Sequence, residues 1–280
     1  MDWDKPVPWV QKSLDFMNKV YWTTDYVGMK KVGEDANGIS LYGRARKAPP
    51  HRDHLLRREE FLNQSFDIAF AIAPDALIGS VILGPLGFAD QGPFLSVGKE
   101  VSARQLWPKN SGLMQQDGLF VSSNTVVAVE MKTGSPTSRN QTLKYLCMLA
   151  LEEAAKGRKD HLGMLYLVSE GSVAKTRTQA GLGTDGRVAA SLESLQVGKV
   201  SDSLKKYLAD HAAEVEDVRK RLLTTVLSWR EFDDRLAVAT AELAGPDAGG
   251  QTLRRLVDGL RVQIRWQTGE GTAEAPLLDF

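Results

Sequence analysis

The sequence predicts an α/β fold, a mixed sheet flanked by helices. Three observations carry that prediction. Residues 125–132 are rich in β-branched side chains and read as a strand. Within it Val126, Val127, Ala128 and Val129 are apolar in succession, as in a central strand buried on both faces. A helical pattern at 139–156 is followed by a second buried strand at 163–169, so strand and helix alternate.

The other elements follow in chain order. Residues 9–22 hold a short amphipathic segment, and a Gly-rich stretch leads to Pro49-Pro50, which breaks regular structure. Leu55, Leu62, Phe66 and Ala69 recur at helical spacing and predict a helix over 52–70. Residues 77–83 read as a strand between Gly and Pro positions. Residues 118–121 read as a short strand, and Ser122-Ser123-Asn124 as a turn into the strand at 125. The loop at 134–138 ends in good N-cap residues for the helix at 139.

After Glu170 the composition turns polar and Gly/Ser-rich, and residues 201–243 then read as a long helical region. A break at 246–250 precedes a further helix over 252–264. The chain therefore divides into an N-terminal extension (1–50), a core (51–175) and a mainly helical C-terminal region (176–280).

Composition narrows the classes. The chain has 280 residues, 42% hydrophobic and 25% charged, enough for a sizeable core. Lys plus Arg and Asp plus Glu both number 35. A polyanionic partner would therefore have to meet a local basic patch. Arg44, Arg46, Lys47, Arg57 and Arg58 cluster in sequence, but read first as a solvated face. The one cysteine, Cys147, excludes a disulfide or a thiolate metal cluster built within the chain. It falls in an apolar helical run and is expected as a buried thiol. The most apolar stretch, 68–88, is interrupted by Asp75, glycines and prolines and is poor as a membrane span. The opening residues lack a signal-peptide pattern, and a cytoplasmic protein is expected.

The chemistry concentrates at the end of the best strand. Glu130-Met131-Lys132 is the one acid-x-Lys triplet in the sequence. Strand side chains alternate, so Glu130 and Lys132 share a face. If the strands at 118 and 125 pair antiparallel, Asp117 comes to lie beside them. Two carboxylates offer hard oxygen ligands for Mg²⁺, and a lysine can hold a water and stabilise charge growing on a phosphate.

This pattern resembles the PD-(D/E)XK nuclease superfamily over about residues 51–170, with Asp117, Glu130 and Lys132 as the matching residues. Gln141 and Tyr145, four apart on the following helix, look like the Gln-x-x-x-Tyr element of its RecB-like, lambda-exonuclease-like branch. The resemblance implies a restriction-endonuclease-like sheet and a nuclease dependent on Mg²⁺ or Mn²⁺. Asp117, Glu130 and the Met131 carbonyl would bind metal. An acid on the first helix would join them; Glu59 fits best and Glu60 competes, with Leu62 and Asn63 at that helix's apolar and small polar positions. Gln141 and Tyr145 would orient substrate.

The resemblance implies DNA ahead of RNA as partner, and a restriction, phage-defence or repair role by family habit. The sequence departs from the pattern at Gln116, where proline is usual. His51 and His54 have no defensible ligand spacing. Taken alone, Gln141 with Tyr145 reads equally as a helix-surface pair, and Glu59 as a solvated face. Trp9, Trp22 and Trp107 read as packing residues. The alternative function is a catalytically inactive nuclease-fold subunit that binds DNA or protein. The C-terminal helices would serve a homodimer or a partner protein.

Overall fold

The computed structural model describes residues 29–34, 40–44, 59–89, 92–98, 116–134, 137–196, 198 and 200–269. The segment at 9–22, Pro49-Pro50, both early histidines, Trp9, Trp22, Trp107 and the basic residues Arg46, Lys47, Arg57 and Arg58 lie outside them.

In chain order the described residues begin with a hairpin, β1 (Met29–Glu34) and β2 (Ser40–Arg44). Helices α1 (Glu59–Ile72) and α2 (Asp75–Ile78) follow. Next come the strands β3 (Leu95–Gly98), β4 (Gly118–Val121) and β5 (Thr125–Met131), then the helix α3 (Arg139–Lys156) and strand β6 (His161–Val168). Two short helices, α4 (Val173–Gln179) and α5 (Leu192–Leu195), precede α6 (Asp202–Arg221). The strand β7 (Leu223–Ser228) and the helices α7 (Trp229–Leu243) and α8 (Ala248–Thr268) complete the order.

Five strands make one mixed sheet in the order β3-β4-β5-β6-β7. The first three pair antiparallel, and β5, β6 and β7 run parallel. Parallel neighbours need a crossover; α3 supplies it between β5 and β6, and α6 lies on the one between β6 and β7.

Both faces are covered, as the apolar run at 126–129 predicts. On one face Leu119, Val126, Ala128 and Met164 pack against Leu143, Leu146 and Leu149 of α3 and Val215 of α6. On the other, Val127, Val129, Leu165 and Leu167 pack against Phe66 and Phe70 of α1, Phe232 of α7 and Leu260 of α8. Each buried Val, Leu, Met or Phe among them contributes about 1.5–3 kcal/mol by leaving water.

Two expectations fail. Residues 77–83 are helical: α2 runs into a π-helical turn at Gly79–Leu83 and a 3-10 turn at Gly84–Leu86, which stops at Gly87 with φ 73°. Leu77, Ile78, Val81, Ile82 and Leu83 are all buried while Ala76, Ser80 and Gly84 are exposed, and a short apolar run bounded by Gly and Pro does not by its pattern alone separate a buried helix from a strand. The expected helical region at 201–243 is interrupted by β7, which extends the sheet beside β6. The helix restarts at a capping box, Ser228 with Glu231. No helix among the described residues is long and apolar enough to cross a membrane.

Candidate active site

The site begins with a tight hairpin. In the β4–β5 ladder Gly118 lies opposite Val129 and Phe120 opposite Val127. One step further along that register, Asp117 lies opposite Glu130. The turn is closed by the Ser122 N–H donating to the Thr125 carbonyl, 2.9 Å, while the Ser122 hydroxyl oxygen accepts the Asn124 and Thr125 N–H groups. The buried Lys159 ammonium donates to the Ser122 and Ser123 carbonyls at 2.7 and 2.9 Å. Directly opposed residues hold their Cβ atoms about 5 Å apart, so this register brings the two acids together.

Both acids are buried, Asp117 at 5% exposure and Glu130 at 1%. Asp117 Oδ1 accepts the Asn63 amide at 2.9 Å, and Oδ2 accepts the Met131 N–H at 2.9 Å. Glu130 Oε2 accepts the Tyr145 hydroxyl at 2.6 Å and the Gln141 amide at 3.0 Å. The Lys132 ammonium lies 2.8 Å from Glu130 Oε1 as an ion pair, off the line of a hydrogen bond. A buried carboxylate without such donors would cost several kcal/mol.

Helix α3 fixes the two donors. The Ser138 hydroxyl caps it by accepting the Gln141 N–H at 3.2 Å, as the sequence predicts. That cap sets the phase in which Gln141 and Tyr145, one turn apart, meet Glu130. Burial pushes the Tyr145 hydroxyl well above the ordinary phenol value, and the Glu130 and Asp117 charges add to the rise. Its oxygen therefore lies in the field of both carboxylates. A backbone hydrogen bond from Asp117 opposes the shift.

The structure thus brings together Asp117, Glu130, Lys132, Gln141 and Tyr145. Glu59 is the first residue of α1, four positions before Asn63; its side chain, like that of Glu60, is outside the described atoms. Cys147 is buried, and burial pushes its thiol up to about 12.

Several participants were not legible beforehand. Tyr166 pairs with Glu130 in the β5–β6 ladder. Its hydroxyl meets Thr142 at 2.8 Å, and Thr142 donates to the Ala180 carbonyl at 3.0 Å, tying α3 to β6 beside the acids. The Trp229 indole donates to the Lys132 carbonyl at 3.0 Å, across 97 residues of sequence. The role of Asn63 toward Asp117 had only its helical position as a signal.

The oxygens suit a hard cation. Among the described residues no three His, Cys, Asp or Glu side chains form a metal cluster. Mg²⁺, however, needs only one or two carboxylates, with waters and substrate phosphate completing its shell. Asn63 Oδ1 is buried beside this pair with no hydrogen-bond partner. Because its amide nitrogen is committed to a carboxylate, the oxygen is assigned by the network. The Met131 N–H points to Asp117, so the Met131 carbonyl lies on the same edge of β5. Asp117, Glu130, the Met131 carbonyl and Asn63 Oδ1 would offer such a cation oxygen donors only.

No protein-family model matches this chain, and comparisons with curated proteins and with solved structures return no match.

Proposed function

We propose that the chain is a metal-dependent nuclease of the PD-(D/E)XK kind that hydrolyses DNA phosphodiester bonds. The observation that carries this reading is the buried carboxylate of Glu130, met at once by Lys132, Gln141 and Tyr145 and placed opposite Asp117. The α/β architecture, a five-stranded mixed sheet flanked by helices, is compatible with this reading.

Asp117, Glu130 and the Met131 carbonyl, with Glu59 as the further acid, would hold Mg²⁺ or Mn²⁺, which lowers the pKa of a bound water and neutralises charge on the phosphate. Like Gln141, Lys132 is only partly buried, with 18% side-chain exposure, whereas Asp117, Glu130 and Tyr145 are buried. The Lys132 ammonium would orient the attacking water and stabilise the charge developing on the phosphate oxygens. Gln141 and Tyr145 hold Glu130 in one rotamer. A restriction, phage-defence or repair role in the cytoplasm belongs to the same reading, as does pairing with a second copy or another protein through the C-terminal helices.

One observation favours the alternative, a nuclease-like fold that binds without turnover. Both Asp117 oxygens already accept hydrogen bonds, as they would in a purely structural network.

Purified protein incubated with linear and circular plasmid, and with RNA, in Mg²⁺, Mn²⁺ or EDTA separates the two. Cleavage that needs the cation and falls at least about a hundredfold in Lys132→Ala supports the enzyme. Cation-independent cleavage, equal cleavage by the variant, or no cleavage of any substrate overturns it.

A further inference from the structure

Beside Lys132 lies a partly open cleft lined by Lys132, Ser169, Ser172, Lys175, Thr176 and Gln179, with Gly134 and Val168. It sits where β5 and β6 end. In open α/β sheets, the crevice beyond the carboxyl ends of parallel strands is where ligands bind. We infer that this cleft is a subsite for a backbone phosphate flanking the cleaved bond, with Lys175 as its principal cation. This rests on the nuclease reading for the identity of the strand, and on the cleft itself for the anion.

The charge balance points to an anion. The Lys132 ammonium is matched by Glu130 at 2.8 Å. Lys175 is exposed and makes no ion pair with the described residues. No acid lines the cleft among the described residues, and the adjacent Glu170 faces Arg230 at 3.7 Å. The cleft thus holds one cation that its own lining leaves unmatched.

The lining also offers neutral donors. The Ser169 and Ser172 hydroxyls lie 2.8 Å apart. One hydroxyl hydrogen serves that contact, and the other is left to donate. Gln179 adds an amide at the rim. An ammonium, a hydroxyl and an amide around a partly open cleft suit a phosphodiester, which accepts several hydrogen bonds and continues in both directions out of the site. Lys132 belongs to both the cleft and the acid site, so a strand cleaved there would present its neighbouring phosphate to Lys175.

The test is binding, read separately from cleavage. Fluorescence anisotropy of a labelled twenty-nucleotide DNA, single-stranded and duplex, would be measured with Ca²⁺ at 50 and 200 mM salt. A lysine-phosphate contact carries a salt slope of about 0.7–0.9. Lys175→Ala is therefore expected to raise Kd about tenfold at 50 mM and about threefold at 200 mM. Lys175→Arg should restore most of the affinity. Lys205→Ala, on exposed α6, should leave binding unchanged and serves as the control.

If Lys175→Ala binds like the parent with the same salt slope, or the parent binds neither DNA, the subsite is wrong. Cleavage that persists while Lys175 proves inert removes the subsite and leaves the nuclease. Lys175-dependent binding without cleavage does the reverse.

Discussion

The Tyr145 hydroxyl stands 2.6 Å from Glu130 Oε2, inside a core where both residues are at most 1% exposed. A hydrogen bond to a buried carboxylate is stronger than one between neutral groups. Tyr145→Phe removes that donor, together with the hydroxyl's 3.1 Å contact to the Val129 carbonyl and the backbone hydrogen bond it takes from Asp117. Chemical denaturation should show a loss of about 1–3 kcal/mol. Partners that orient a ligating carboxylate typically govern 10–100-fold in metal affinity or activity, so cleavage should fall about tenfold or more. Titration with Mn²⁺ should show weakened binding by the variant. Unchanged metal affinity together with the expected loss of stability would make Tyr145 a packing residue only.

The same hydroxyl predicts alkaline behaviour. Its pKa is raised in the folded protein by burial and then by Glu130 and Asp117. A raised folded value means that the neutral phenol is favoured by folding. This stability is fully present below the unfolded tyrosine pKa of about 10 and is lost as pH rises from there through the folded value. Tyr166, raised first by burial, acts in the same direction. Urea midpoints should show no tyrosine-linked fall between pH 7 and 9 and should drop above pH 10. Tyr145→Phe should flatten that fall; an equally steep fall in the variant would break the link.

The parts of the site that were legible are those set by local rules. A β-branched run, a polar turn and a capped helix fixed β4, β5 and α3, and period-two alternation then placed Glu130 with Lys132. The residues that complete the site come from distant segments. Trp229 reaches the Lys132 carbonyl only because β7 inserts beside β6. That strand lies between two amphipathic helices, and Val226 within it falls at helical spacing from Leu222 just before it, so it merged into their pattern. Its conformation is decided by the open edge of β6, which is tertiary information. The helix after Pro74 was lost because its apolar run is short and bounded by Gly and Pro, a pattern that a buried helix shares with a strand.

Asn63 offers a test of the acid pair that does not depend on turnover. Its amide donates to Asp117 Oδ1 at 2.9 Å. Asn63→Asp would set a second carboxylate there, and two carboxylates sharing a site raise one pKa strongly. The raised folded value favours the protonated form. The variant is therefore close to the parent below the unfolded value of about 3.9 and loses stability as pH rises through the folded value. Urea midpoints of variant and parent should differ little at pH 4 and by the equivalent of about 1–3 kcal/mol at pH 7. Millimolar Mg²⁺ should narrow the gap at pH 7, because a cation between the acids offsets their repulsion. A pH-independent gap would argue against the contact.

The sheet itself predicts what can be cut away. A fragment covering 51–175, the core the sequence delimits, lacks β7, α6, α7 and α8. Its β6 would be left with an unpaired edge from Gly163 to Val168, which is a template for association with other chains. Leu165 and Leu167 would lose Phe232 and Leu236, and Tyr166 would lose the cover of α6. The fragment should be aggregation-prone and show no cooperative thermal transition, whereas the full chain should show one. In the full chain, Val226→Asp would put an unpaired carboxylate at a β7 position 3% exposed. Burying a charge without a partner is among the few substitutions that cost more than about 4 kcal/mol, so this variant should lose its transition as well. A 51–175 fragment with a sharp transition of its own would mean that β7 is docked onto a finished core, and Val226→Asp would then leave that core's transition in place.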